Sequence, residues 1–304
     1  MPTLDRITIY PVKSLDGLDV DEAGVLPSGG LEHDRRWRLV DMDGGVVNAK
    51  RFPLFAAIRS EFSLPERLIT LSVDPAALAA KALPAADLAR LRQLDCESFH
   101  LVPGQGGPCE WLSEAFGFGV LLQERAEGGF PDDRDAPGPT LISTASLAEV
   151  ARWFGFDLAE ARRRFRANLE IGGCDAFWED TLASPARPGL APSLLDLPPD
   201  LPVDPYADLP PPEPHEFCIG AIRFRAANVC RRCVVPTRDS RTAAVTEHFR
   251  DAFEARRGRG LREDVDAAAW GTFYRLAVNT RMDSGFGGIL ARAMPVVTAG
   301  PATL

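Results

Sequence analysis

The chain has 304 residues, of which 45% are hydrophobic, and this length and composition suggest about two globular domains and exclude a disordered chain. Its formal net charge is −9, with 34 basic and 43 acidic residues, so the chain lacks the basic field that duplex nucleic acid requires. No apolar run approaches the roughly 20 residues that cross a bilayer, and the opening MPTLDRITIYPVKS lacks the order of a signal peptide. We therefore predict a cytoplasmic protein that binds neither nucleic acid nor membrane.

The first part of the chain has the pattern of short strands. Turn sequences such as PSGG and DMDGG separate apolar runs such as RWRLV and GVVNA, which is typical of a β-barrel or sandwich, and RLITLSV continues the pattern. The alanine-rich stretch DPAALAAKALPAADLARLRQL then predicts a helical interruption, broken at Pro84 because proline cannot continue a helix.

The middle of the chain contains the predicted domain boundary. After a strand in FHLVP, a helix in PCEWLSEAFG and the run VLLQERAEGG, the polar stretch FPDDRDAPGP predicts a linker or a lid. We therefore predict one domain over residues 1–125 and a second over residues 126–304. TLISTASLAEVARWFG predicts a strand that leads into a helix capped by the serine and threonine cluster, and LAEARRRF predicts a second helix before the extended RANLEIGG.

A proline-rich segment interrupts the second predicted domain. Residues 184–214 hold eleven prolines and five acidic residues, which predicts an extended surface loop. Beyond it, EFCIG and AIRFRAANV predict two strands joined through Gly220, and the second strand delivers Cys230 and Cys233 to a loop. TEHFRDAFEARRGRGLRED predicts a charged helix, and TFYRLAVNTRMDSG and AMPVVTAG predict closing strands.

The cysteine pair in ANVCRRCVVPTRDSRT allows several chemical interpretations. A structural zinc site needs four ligands, but the chain has a single CxxC and four scattered histidines. A redox dithiol is also a weak match, because two arginines separate the cysteines. A single thiolate flanked by Arg231 and Arg232, which favour the ionised sulfur and can hold an anion, is the third interpretation. The cysteines alone are equally consistent with two buried small hydrophobic side chains.

Three separated stretches resemble the MOSC family, in the branch with a β-rich N-terminal MOSC domain. IYPVKSLDG with LEHDRRWRLVDMDGGVVNAKRFP is similar to the family's N-terminal signature, RFRANLEIGGCDAFWED to its central motif, and IGAIRFRAANVCRRCVVPTRDSRT to its cysteine motif. The resemblance implies a β-rich α+β fold, in which an N-terminal β-barrel-like domain precedes a MOSC β-barrel domain with peripheral helices.

The resemblance also implies a molybdopterin-type molybdenum cofactor whose metal is bound by Cys233, the second cysteine of the motif. Cations and hydroxyl donors at matching positions are implied to hold the cofactor's phosphate or nucleotide. These cofactor-binding candidates are Lys13, Ser14, Arg35, Thr144, Ser146, Arg166, Asn168 and Arg232. Each has an ordinary structural alternative: the charges can be solvated, Arg166 can pair with Glu170, and the hydroxyls can cap their helix. We interpret the acidic residues of GCDAFWED primarily as structural.

The activity implied by the resemblance is reduction of N-hydroxylated compounds by removal of an oxygen atom at the molybdenum. The sequence contains neither iron–sulfur spacing nor a dinucleotide-binding fingerprint, so an external electron-donor protein, a reductase or a ferredoxin-like protein, is expected. The alternative is a carrier of persulfide sulfur or of molybdenum cofactor without reductase activity, which a thiolate at Cys233 serves equally well.

Overall fold

The computed structural model describes residues 1–183, 215–282 and 287–298, and the whole predicted loop 184–214 lies outside the described residues. The strands within these residues are β1 Thr3–Ile9, β2 Leu18–Val20, β3 Glu22–Val25, β4 Trp37–Asp41, β5 Val46–Val47, β6 Ile58–Ser63, β7 Leu68–Val73, β8 Glu97–His100, β9 Val120–Glu124, β10 Leu141–Ser143, β11 Leu169–Gly172, β12 Glu216–Ile219, β13 Ile222–Arg231, β14 Arg275–Arg281, β15 Gly288–Ala291 and β16 Val296–Thr298. The α-helices are α1 Pro75–Ala80, α2 Ala85–Leu91, α3 Pro108–Phe116, α4 Thr144–Phe154, α5 Leu158–Phe165, α6 Asp180–Ala183 and α7 Phe249–Arg259. This composition confirms the predicted β-rich α+β fold.

The largest sheet joins both ends of the chain. Its strand order is β16-β12-β13-β14-β10-β11-β1-β2, and β1 pairs antiparallel with β11, with Thr3 opposite Gly172. β10 and β11 are parallel, and the connection between them contains α4 and α5, because parallel neighbours need a crossover. β3 likewise pairs with β15, with Val25 opposite Gly288. The domain boundary between residues 125 and 126 remains a prediction. β1 and β3, which precede this boundary, pair with β11 and β15, which follow it.

Residues 37–124 supply two smaller antiparallel sheets. One has the order β5-β4-β9 and the other β6-β7-β8. Their apolar faces share a core with α3, in which Trp37, Leu39, Ile69, Trp111 and Leu122 are each at most 3% exposed. Alternating burial along these strands follows from the period of two in their sequences.

Local sequence signals set the helix ends as predicted. Ser143 caps α4 by accepting a hydrogen bond of 3.0 Å from the Ser146 backbone N–H, which satisfies a free donor of the first turn. α1 and α2 are separate helices, and Pro84 stands directly before α2. α5 ends where Arg166 adopts a left-handed conformation with φ 52°. This ending turns the chain from α5 toward β11.

A third core lies under α4, α5 and α7 and supports the cysteine loop. Phe165, Phe249 and Phe253 pack there beside Tyr274, which is 3% exposed. The ring centroids of Phe253 and Tyr274 are 5.3 Å apart in an edge-on arrangement. Across the described ranges, no helix has the length and apolar character needed to span a membrane.

Candidate functional site

Side-chain hydrogen bonds to backbone oxygens bring the three sequence motifs together. Arg166, at the end of α5, donates from Nη2 to the Leu15 carbonyl at 2.7 Å. Arg238, in the loop after the cysteines, donates from Nη1 to the Ala49 carbonyl at 3.0 Å, and the Ala49 N–H donates to Ser14 Oγ at 3.0 Å. The PVKS loop, the RFRAN turn and the cysteine loop therefore share one region.

Cys233 is half-buried and follows β13 directly, as predicted. The backbone N–H of the preceding Arg232 donates to the Tyr274 carbonyl at 2.9 Å, which anchors the loop next to the start of β14. Two contacts hold the Arg232 side chain: Nη1 donates to Cys230 Sγ at 3.3 Å and Nη2 to the Phe165 carbonyl at 2.5 Å. The guanidinium thus lies against Cys230.

Lys13 and Arg35 lie together around a carboxylate that was not assigned from the sequence. Lys13 Nζ is 3.1 Å from Asp132 Oδ1, and Arg35 Nε is 3.7 Å from Asp132 Oδ2. Partial burial alone raises the pKa of Asp132, but the charges of Arg35, Lys13 and Lys50 lower it well below its ordinary range. Burial lowers the pKa of Lys13, and Asp132 opposes this effect. The Arg35 guanidinium also pairs with Asp34.

Tyr10 lies between two of the predicted arginines. The guanidinium carbons of Arg35 and Arg166 are 5.4 Å and 4.1 Å from the centre of its ring. Burial raises the pKa of the Tyr10 hydroxyl to about 12, so this group remains a neutral donor, 3.3 Å from the Ala167 carbonyl. Arg166 does not pair with Glu170, which instead accepts from Arg162 at 2.7 Å.

Asn168 holds this arrangement from within and is 1% exposed. Its Nδ2 donates to the Thr8 carbonyl and to Asp34 Oδ1, both at 3.0 Å. Its Oδ1 accepts from the Thr140 backbone N–H at 3.1 Å and from Arg35 Nη1 at 3.3 Å. Because protein groups occupy its donors and acceptor, Asn168 orients Arg35 instead of presenting an open hydrogen-bonding group.

The two predicted hydroxyls of α4 lie in different surroundings, because Thr144 contacts Glu170, which lines the same cavity as Arg166, whereas Ser146 is directed into the interior. Ser146 is fully buried, donates to Glu179 Oε2 at 2.9 Å and accepts from the Phe177 N–H at 2.5 Å. Thr144 Oγ1 is 3.5 Å from Glu170 Oε2. These contacts direct Ser146 into the interior beneath the GCDAFWED motif, whereas Lys13, Arg35 and Arg166 surround Tyr10 and the PVKS loop.

A cavity of about 150 Å³ separates the PVKS loop from the cysteine loop. Its lining includes Ser14, Arg166, Val235 and Arg238, and among the described residues the lining holds seven arginines and four carboxylates. Arg238 and Tyr10 were not predicted as site residues, although both lie within the quoted motifs. Their side-chain chemistry is ordinary in isolation, and only their shared position beside Arg166 distinguishes them.

The buried carboxylate of Glu179 makes stability depend on pH. Burial, reinforced by the charge of Asp180, raises the pKa of Glu179 to about 7 from an ordinary value of 4.5. The folded state therefore keeps a proton that the unfolded state releases, and stability from this group is lost as pH rises through that interval. We expect Glu179→Gln to reduce this loss by on the order of 2 kcal/mol, measured as urea unfolding free energy from pH 4.5 to 8.

Glu61→Gln is the matched control, since Glu61 is exposed on β6. The raised pKa of Asp180, caused by its burial, leaves some pH dependence in the Glu179 variant. Equal slopes for Glu179→Gln and wild type would contradict the assignment.

Comparison with known proteins finds a family match for the first part of the chain. Residues 1–116 match the family described as "MOSC N-terminal beta barrel domain". This match confirms the predicted resemblance to the MOSC family for the N-terminal region.

Curated relatives carry two different names. The chain is 30% identical over 255 residues to a molybdenum cofactor sulfurase of Drosophila erecta, covering 76% of this chain and 27% of that protein. It is 24% identical over 268 residues to mitochondrial amidoxime reducing component 2 of Bos taurus, covering 80% of this chain and 68% of that protein. The chain thus spans about a quarter of the length of the sulfurases that it matches.

Among solved structures, the YUAD protein from Bacillus subtilis aligns with 97% of this chain and 94% of its own. The sequence identity is 10% and the TM-score is 0.31.

Proposed function

We propose that this protein binds a molybdopterin-type molybdenum cofactor, with Cys233 as the metal ligand, and reduces N-hydroxylated compounds. One observation carries the proposal. In the part of the chain that the structure describes, Arg166, Arg232 and Arg238 are half-buried beside the cysteine loop, and none has a carboxylate within 4.0 Å. Half-buried cations without counter-ions favour binding of an anion.

The chemistry of the residues fits the proposed cofactor. Arg232 Nε is a buried donor without a hydrogen-bond partner among the described residues. Lys13 and Arg35 add two further cations, and Arg35 contacts the same Tyr10 ring as Arg166. Arginine binds phosphate oxygens in a planar, two-point geometry, and a thiolate is a suitable ligand for a soft transition metal. A phosphate-bearing cofactor with a metal that accepts sulfur therefore matches both halves of the site.

Each residue has a definable task in this proposal. When bound, the cofactor supplies a two-electron molybdenum centre that takes an oxygen atom from the substrate. Cys233 holds the metal, and Arg166 and Arg238 bind the cofactor's anionic group across the cavity. Tyr10 and Asn168 keep Arg166 and Arg35 in place through ring contact and hydrogen bonding. The proposal includes an external electron-donor protein, because the sequence contains no iron–sulfur spacing or dinucleotide fingerprint of its own.

A carrier of sulfur or of molybdenum cofactor is the second candidate function. The similarity to molybdenum cofactor sulfurases favours it. A carrier would contain cofactor or persulfide but would leave N-hydroxylated compounds unreduced when electrons are supplied.

The test is to express the full chain in a host that makes molybdenum cofactor and to measure molybdenum by elemental analysis and pterin by fluorescence. The same preparation is then supplied with a reduced viologen dye and an aromatic amidoxime. About one molybdenum per chain together with amidine formation supports the reductase. Cofactor without amidine formation favours the carrier, and protein lacking both molybdenum and pterin contradicts the proposal. Protein from a host unable to make the cofactor provides the control.

A further inference from the structure

We propose that Asp132 is an internal competitor that occupies an anion site formed by Lys13, Arg35 and Lys50, and that a phosphate monoester must displace it to bind. Lys50 is thereby assigned as a third cation of this site. The identity of the ligand rests on the proposed function, but the displacement itself is testable in protein that contains no molybdenum or pterin.

Three cations from different loops converge on this one carboxylate. Asp132 Oδ1 is 3.1 Å from Lys13 Nζ and 3.5 Å from Lys50 Nζ, and Asp132 Oδ2 is 3.7 Å from Arg35 Nε. Lys13 follows β1, Arg35 precedes β4, and Lys50 follows β5. Arg35 also pairs with Asp34, so two carboxylates face the three cations and the cluster keeps an excess of one positive charge.

The carboxylate lies on the outer side of the cluster. The Asp132 side chain is 51% exposed, whereas those of Lys13 and Arg35 are 18% and 14% exposed. Asp132 can therefore rotate into solvent without being desolvated, at the cost of its ion pairs, while the less exposed Lys13 and Arg35 remain in place. A phosphate monoester carries roughly −1.5 to −2 charges at neutral pH and three acceptor oxygens, so it satisfies more of the cations' donors than one carboxylate does.

The segment around Asp132 is anchored on both sides. The Phe130 N–H donates to the Arg35 carbonyl at 2.9 Å, and Lys13 Nζ donates to the Phe130 carbonyl at 3.1 Å. On the other side, Asp133 Oδ2 accepts from Asn228 Nδ2 at 3.2 Å and from Asn279 Nδ2 at 3.3 Å. The backbone is thus held on both sides of Asp132, so we expect displacement to need a change of its side-chain rotamer and no loop movement.

Glycine brings this segment close to Arg35. Gly129 has φ 60°, and a Cβ atom there would lie 2.5 Å from the Asp34 carbonyl oxygen. A side chain at this position would force the segment away from the cluster. The close approach is therefore built into the chain immediately before Asp132.

Competition of this kind lowers the apparent affinity for an external anion, because only the fraction of molecules with Asp132 turned away can bind. We expect Asp132→Asn to strengthen binding of inorganic phosphate by about tenfold at low salt. The measurement is isothermal titration calorimetry on protein from a host that makes no molybdenum cofactor. Phosphate should also raise the melting temperature of Asp132→Asn more than that of wild type, since ligand binds the folded state.

Asp135→Asn is the matched control, because Asp135 is exposed in the same segment and its removal changes the net charge equally. Equal phosphate affinity in Asp132→Asn, Asp135→Asn and wild type would overturn the proposal. An equal gain in both variants would also overturn it, since it would reflect net charge alone.

Lys50→Gln provides a second test that does not depend on folding of the Asp132 variant. We expect weaker phosphate binding in Lys50→Gln than in Lys81→Gln, whose lysine is exposed at the end of α1. Equal affinity in the two lysine variants would remove Lys50 from the site. Tighter phosphate binding in Asp132→Asn would support this inference even if wild type from a cofactor-making host contained no molybdenum, in which case only the proposed function would fail. Unchanged phosphate binding in Asp132→Asn, together with molybdenum in wild type from that host, would overturn this inference alone.

Discussion

Replacing Cys233 with serine is expected to remove molybdenum from protein expressed in a cofactor-making host and to lower amidoxime reduction at least about 100-fold. Serine keeps the shape of the side chain but replaces the thiolate with a hydroxyl, which is a poor ligand for a soft metal. Loss of groups that only support a metal ligand already costs roughly 10–100-fold, so loss of the ligand itself should cost more. Molybdenum per chain and the reduction rate with viologen dye measure the two effects.

Cys96→Ser is the matched control for a general effect of cysteine removal. Cys96 is exposed, stands directly before β8 and belongs to none of the three motifs. We expect it to keep the molybdenum content and rate of wild type. A Cys233→Ser protein with full molybdenum content would contradict the assignment of this sulfur as the ligand. If Cys233→Ser kept its molybdenum but lost amidoxime reduction, Cys233 would be needed for turnover and not for holding the metal.

The second large effect concerns the buried ion pair beneath the cysteine region. Arg257 is fully buried in α7, and its Nη2 donates to Asp180 Oδ2. Its guanidinium carbon is also 4.1 Å from the centre of the Phe177 ring. Glu179 Oε1 and Asp180 Oδ1 have no hydrogen-bond partner among the described residues. Arg257 is therefore the cation that compensates the buried Asp180 carboxylate.

Arg257→Met is expected to lower the free energy of unfolding by about 3–5 kcal/mol, because it leaves Asp180 as a buried charge without a partner. Urea unfolding at pH 7, followed by tryptophan fluorescence and circular dichroism, measures the change. The double variant Arg257→Met with Asp180→Asn should recover part of the loss, since the uncompensated charge is removed.

Arg259→Met, at the exposed last residue of α7, is the control and should stay within about 0.5 kcal/mol of wild type. A loss in Arg257→Met no larger than in this control would show that the ion pair contributes little to folding. That result would also contradict the structural role predicted for the acidic residues of GCDAFWED.

Much of the local structure could be predicted from the sequence. The strands β4 and β7, the split between α1 and α2, the Ser143 cap and the strand that delivers Cys230 and Cys233 all depend on residues a few positions apart. Side-chain periodicity, proline geometry and capping act over that range. The motifs that indicate the MOSC family are also contiguous in sequence, so the order of residues along the chain is enough to recognise them.

Other features depend on residues far apart in the chain. The pairing of β1 with β11 places Thr3 opposite Gly172, and no local pattern in either strand specifies its partner. The direction of Arg232 toward Cys230 is set by the Phe165 carbonyl, and that of Ser146 by Glu179. Both side chains were predicted as donors for a phosphate because the MOSC resemblance implied that role for them.

The sequence by itself determined the secondary structure, the family resemblance and the position of Cys233 after a strand, because these follow from short-range sterics, capping and contiguous motifs. Tertiary structure decided which charges lack a counter-ion and which are already paired. Arg166 and Asp132 show the difference: Glu170 is taken by Arg162, which leaves Arg166 without a carboxylate, and Asp132 meets cations from three loops. Electrostatic energy depends on distance and burial in the folded chain, and neither is encoded in the spacing of residues along it.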